Sequence, residues 1–168
     1  MIAKIIDRDI DTLVELHYDA DSIVNMVCDK TQAYASTMTD KEGREIYEQM
    51  SATEDDRWML VQYMQEAWRD VMSVCSAYNR DLYVEEGGKV IDSFGIRLSI
   101  PRRWDPANAS SVDVDIKGYL VSRVLSSWWL SRGHGELSEV ERQKAEWYRD
   151  GIKYALNVGR VKRPYKGL

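Results

Sequence analysis

A chain of 168 residues with 44% apolar and 30% charged side chains fits one globular domain and excludes a disordered or low-complexity protein. Its formal net charge of −5 argues against broad nucleic-acid binding. No run nears the ~18 apolar residues that span a bilayer. The patch Met1-Ile-Ala-Lys-Ile-Ile-Asp7 is too short for a signal peptide, so a chain made in a cytosol is expected.

The first predicted helix runs from about Asp9 to Met38, with a break near Asp19–Asp21. Leu13, Leu16, Ala20, Ile23, Val27 and Thr31 recur at spacings of three and four, which makes one apolar stripe. Thr39-Asp-Lys-Glu-Gly43 is a polar break, and a short helical piece follows through Ile46, Tyr47 and Met50. Ser51-Ala-Thr-Glu54 and Thr53-Glu-Asp-Asp56 both have the capping-box form and open a second long helix. Its stripe of Leu60, Met64, Ala67, Val71, Cys75, Tyr78 and Leu82 carries it to Glu85-Glu-Gly-Gly88, and a second row through Trp68 and Met72 predicts contacts on more than one side.

Residues 89–101 change period. Ile96, Leu98 and Ile100 alternate as in a strand, and Pro101 and Asp105-Pro106 force a turn. This is read as one short extended arm or hairpin within about 89–106, which would seek a partner edge. A third helix is expected after Ser110-Ser111, with Asp113 and Asp115 in its first turn and Ile116, Leu120, Val124 and Trp128 every four residues, stopping at Gly133 or Gly135. The fourth opens with the capping box Ser138-Glu-Val-Glu141 and reaches about Val158; helices three and four should form an antiparallel hairpin. A tail, 159–168, carries Arg160, Lys162, Arg163 and Lys166 and no acid. The expected fold is all-α (mainly), a single-domain, irregular four-to-five-helix bundle over residues 1–168 with the arm near 89–101.

No constellation of catalytic or metal-binding residues stands out. His17 lies between Glu15 and Asp19, but no further His or Cys completes a metal set, and His134 between two glycines has no paired nucleophile. Asp113, Asp115 and Glu54-Asp55-Asp56 sit at helix starts, where acids are favoured without any metal. Glu86-Gly-Gly-Lys89 lacks the spacing of a phosphate loop. The expectation is a protein without cofactor or metal that is not an enzyme. Cys28 and Cys75, the only cysteines, suit two buried free thiols in a reducing compartment better than a disulfide.

Two features bear on partners. One Phe stands against six Trp and ten Tyr, aromatics with a polar handle that serve either an interface or a helical core. Residues 1–56 hold 14 Asp/Glu and 5 Lys/Arg, a net of −9, and residues 57–168 hold 14 and 18, a net of +4. The asymmetry suits either head-to-tail contact between identical copies or two solvated faces with no partner.

The C-terminal half, from Ser93-Phe-Gly-Ile-Arg-Leu-Ser-Ile-Pro101 through Trp128-Trp129-Leu130, Ala145, Tyr148 and Ala155-Leu156 to the Lys-Arg-Pro tail, resembles the small helical head-to-tail adaptor proteins of tailed bacteriophages. The likeness covers roughly residues 53–168 and is nearest to the adaptors of crAss-like and other Bacteroides-type phages. Such proteins form connector rings of about twelve copies in the neck, through contacts that close by rotation. The resemblance implies a structural virion protein, made in the host bacterial cytoplasm, whose partners are itself, the portal and tail or neck proteins, and DNA passing through the ring, with no membrane. Residues 91–104 and 159–168 are the expected contact segments, with Ile96, Leu98, Ile100, Arg102, Arg103, Trp104, Arg160, Lys162, Arg163 and Tyr165 as contact candidates, and Trp128 and Trp129 mostly core. The rival reading is a cytosolic helical regulator that binds nucleic acid through the basic C-terminal helix and tail.

Overall fold

A computed structural model describes residues 4–7, 11–38, 47–84, 93–101 and 104–157. In chain order they form strands β1 (Lys4–Asp7) and β2 (Asp11–Asp19), helices α1 (Ala20–Ala35) and α2 (Tyr47–Met50), and a 3-10 turn at Glu54–Asp56. Helix α3 (Arg57–Cys75), strands β3 (Asn79–Val84) and β4 (Ser93–Pro101), and helices α4 (Asn108–Ser131) and α5 (Gly135–Asn157) follow. Helix predominates, as expected, but a four-stranded antiparallel sheet of order β1-β2-β4-β3 accompanies it.

The sheet corrects the expected all-helical bundle in three places. Residues 11–19 are strand, and the helix expected from Asp9 begins only at Ala20, where the Asp19 carboxylate accepts from Ser22 N–H at 3.0 Å as an N-cap. Residues 79–84 are also strand, so α3 stops at Cys75, well short of the glycine pair at 87–88. The expected lone arm is an inner strand: β4 pairs β2 on one side and β3 on the other, so neither edge is free.

Alternation explains the pairing. Thr12, Val14, Leu16 and Tyr18 of β2 are buried on one face, opposite Ile100, Leu98, Ile96 and Phe94 of β4. On the other face Glu15 and Arg97 are direct cross-strand partners and form an ion pair at 2.8 Å. Gly95 is required where β2 passes closest, because a Cβ there would strike the Leu16 carbonyl oxygen.

The buried sheet face meets α3 through an aromatic cluster in which Trp68 lies 4.8 Å from Phe94 and 5.7 Å from Tyr18, centroid to centroid. Helix α4 packs against α1, α3 and α5, with Ile116, Leu120, Val124 and Trp128 buried. It starts at Asn108, a turn earlier than expected, which places Asp113 in the second turn and inside the core.

Gly133, at φ +80°, ends α4: Gly133 N–H bonds Leu130 O at 3.1 Å and His134 N–H bonds Trp129 O at 2.8 Å, the paired bonds of a left-handed C-cap. Helix α5 therefore begins at Gly135 and not at Ser138, whose hydroxyl lies 3.1 Å from that of Ser126 in α4. The two helices form the expected hairpin and approach closely at Gly118, where a Cβ would come within 2.5 Å of the Tyr148 ring.

Candidate interaction surfaces

Four of the expected contact residues are committed to the interior. Ile96, Leu98 and Ile100 are fully buried, and Trp104 is nearly so, with its Nε1–H donating to Ala155 O at 2.7 Å. Burying side chains of this size contributes about 1.5–3 kcal/mol each, so with Phe94 the β4 face contributes roughly 6–12 kcal/mol. That matches the ~5–15 kcal/mol of a whole domain's net stability, so β4 is not an arm that can leave the molecule to dock elsewhere. Arg102, Arg103, Arg160, Lys162, Arg163 and Tyr165 lie outside the described residues.

Trp128 and Trp129 are core. The Trp128 indole donates to Met50 O at 2.9 Å, which ties α2 to α4, and its ring carries the Arg132 guanidinium at 4.3 Å. Both cysteines are free buried thiols. Burial pushes Cys75 up to about 12, and burial followed by the charges of Glu54, Asp29 and Asp56 raises Cys28, so neither is a reactive thiolate.

The acids singled out for chemistry have structural work. Glu15 is held by Arg97, Asp19 caps α1, and Asp56 accepts from Thr53 N–H at 3.0 Å and from Arg132 at 3.2 Å. A polar cleft between α3, α4 and α5 joins Tyr119 Oη to Asp70 at 2.9 Å, with Arg123 3.6 Å from the same carboxylate and Arg149 3.0 Å from Glu146. Burial and the Asp70 carboxylate push Tyr119 up to about 12, so its phenol remains a donor that braces α4 to α3.

The most exposed large apolar side chains are mainly aromatic, though Leu130 is also 66% exposed. Trp58 in the first turn of α3 is 75% exposed, and Trp147 and Tyr154 on α5 are 69% and 75% exposed. Trp147 and Tyr154 share one face of α5, seven residues apart, and with Val114 of α4 they border a groove of about 510 Å³ that also contains Asp115 and Asp150. A second groove, of about 450 Å³, runs between α1, α4 and α5 with walls of Tyr34, Leu125, Trp129, Leu137 and Val140. No family model, curated protein or solved structure matches the chain.

None of these exposed aromatics was among the expected contact residues. A signal was present for Trp147, which falls off the Ala145–Tyr148–Ile152 stripe of its helix; Trp58 falls off Leu60–Met64–Ala67 but lies beside the second row through Trp68 and Met72. An indole outside a stripe faces water unless another element or another chain covers it, and contiguous apolar surface of this kind marks interaction sites.

Proposed function

We propose that this chain is a structural subunit of a ring in the head-to-tail connector of a tailed phage, joining portal to tail through protein–protein contacts. The observation that carries this reading is the exposure of Trp58, Trp147 and Tyr154 on separate surfaces. Trp58 lies two residues past Asp56, which meets Arg132 just beyond the C-terminus of α4, whereas Trp147 and Tyr154 share a groove with Ser110 and Ser111 near the N-terminus of α4. At ~1.5 Å per residue, the span from Ser110 to Arg132 separates the two surfaces by roughly 30 Å, so two different partners can occupy them together.

A ring subunit within a stack needs that arrangement. It touches a copy on either side and a different protein above and below, and Trp and Tyr are the residues such contacts favour. The resemblance of residues 53–168 to phage adaptors, and the acidic first third beside a basic remainder, point the same way. Native mass spectrometry over a range of concentrations, with negative-stain imaging of the same samples, tests it. Closed oligomers near twelve copies are expected. A monomer at every concentration that does not join portal rings, yet binds DNA with steep salt dependence, would instead support the nucleic-acid regulator.

A further inference from the structure

The Trp58 surface and the α1–α4–α5 groove complement one another. Trp58 projects from the first turn of α3 and is flanked by Glu54 and Asp55. Among the described residues Glu54 has only a long contact to Arg57, at 3.9 Å, and Asp55 has no ion pair. The knob is therefore an indole bordered by two acids, with Arg57 on the same surface but drawn to Asp21. The groove is the reverse: an apolar cleft with Lys30 on one rim and Lys144 on the other. Lys144 is engaged by Glu141 at 2.5 Å, whereas Lys30 has no ion pair among the described residues, so the rim is net basic. At about 450 Å³ the cleft falls within the ~300–1,000 Å³ of sites that enclose a whole small ligand, room for an indole and a neighbouring side chain.

The two surfaces also sit where a repeating contact needs them. Helix α1 turns ~100° per residue, so its groove-lining residues Lys30, Ala33 and Tyr34 project within a sector roughly 100° wide. Asp21, which binds Arg57 beside the knob, projects roughly opposite the middle of that sector. The buried face of α1 lies between. Knob and groove thus occupy opposite flanks of one helix, and a contact that joins one flank to the other leaves a free knob and a free groove for the next copies. This is a heterologous contact, the kind that generates rings.

We infer that Trp58 of one copy, with Glu54 and Asp55, seats in the α1–α4–α5 groove of the next copy, with Lys30 and Lys144 facing the acids. The inference rests on the ring reading and names its copy-to-copy contact; the Val114–Trp147–Tyr154 face then serves the neighbouring layers of the neck.

Complementary variants test it. Trp58→Ala removes the knob, and Val140→Glu places a charge in the groove wall. Both positions are solvent-exposed, and thermal melts that match the wild type would show that the folds survive. Self-association measured by sedimentation velocity should weaken roughly 30-fold in each variant, as expected for an aromatic hot spot. An equimolar mixture should give a one-to-one heterodimer and nothing larger, because one intact knob and one intact groove remain. Wild-type rings with variant rings of equal stability would overturn the knob-in-groove contact and leave the connector reading standing. A wild type that stays monomeric at every concentration would also overturn it, and the connector reading would then depend on assembly onto portal rings. If Val140→Glu abolishes binding to a portal or tail protein but not self-association, the groove belongs to that partner and the inference falls.

Discussion

Asp113 shows how a single residue can sit against the grain of its fold. It lies in the second turn of α4, almost wholly enclosed, with Lys117 Nζ 4.0 Å from one carboxylate oxygen and the buried Tyr18 hydroxyl as an electrostatic neighbour. Among the described residues, neither Asp113 Oδ1 nor Tyr18 Oη has a hydrogen-bond partner of good geometry. Burial raises the Asp113 carboxyl above the ordinary aspartate range, and Lys117 and then Tyr18 only partly offset it. The sign follows from linkage: a pKa raised on folding favours the native state most when the group is protonated. That contribution is complete below the unfolded value of about 3.9 and is lost as pH rises through the folded value. Asp113→Asn, which removes the charge and keeps the shape, is therefore expected to stabilise the protein at pH 7 and to confer no such gain at pH 3. Urea unfolding at the two pH values checks this; a variant less stable than wild type at pH 7 would mean that the Lys117 pair outweighs desolvation.

The elements are held together by a few side chains that reach from one to the next. The segment after α2 is a case: Thr31 Oγ1 of α1 accepts Ala52 N–H at 2.9 Å while donating to Cys28 O at 2.9 Å, Gln32 Nε2 reaches Ala52 O at 3.3 Å, and Trp128 Nε1 donates to Met50 O. Thr31→Val keeps the volume but leaves the buried Ala52 N–H unpaired, which should cost about 1–3 kcal/mol in urea unfolding and speed hydrogen exchange at that amide. The same scale shows what the sequence could reveal. Helices α3, α4 and α5 are legible because their stripes are long and proline-free and because Gly133 is a local stop. Strand β2 is not, since Leu13, Leu16 and Ala20 satisfy a helical spacing while Val14, Leu16 and Tyr18 satisfy a strand. Both readings find apolar residues because Leu13 is buried on the opposite face from Val14. Strand β3 follows α3 without a Gly or Pro, and the Tyr78–Leu82 spacing mimics one more helical turn. Pairing decides both cases, and it is non-local: Asp19 meets Ser93 across the whole of α1 and α3. Ile96, Leu98 and Ile100 were legible as a strand, but that β2 and β3 would flank them on both sides was not. Trp147 was legible only as a residue outside a stripe, and Trp58 not even as that, since it lies beside the row of Trp68 and Met72.

At the scale of the molecule, one continuous core runs from the sheet through α3 and α4 to α5, so the charge asymmetry is carried by a body with a single interior rather than by separable halves. The acids of residues 1–56 include Glu54 and Asp55 beside Trp58; at the groove, Lys144 comes from the basic remainder and Lys30 from the acidic third. A knob-in-groove contact therefore has two components that salt separates. Steering between unlike charges acts over a Debye length of ~10 Å at 0.1 M salt and ~3 Å at 1 M, whereas an indole buried among Leu125, Trp129 and Val140 is held by apolar burial that salt does not screen. Self-association followed by stopped-flow fluorescence should accordingly slow by about tenfold or more between 20 mM and 0.5 M NaCl, while the dissociation rate changes little. Replacing both Lys30 and Lys144 by Glu should lower the rate at low salt and reverse the trend, because like charges then meet and screening helps them approach. A wild-type rate that rises with salt would show that two acidic surfaces are being pressed together, and the copies would have to meet through faces other than these.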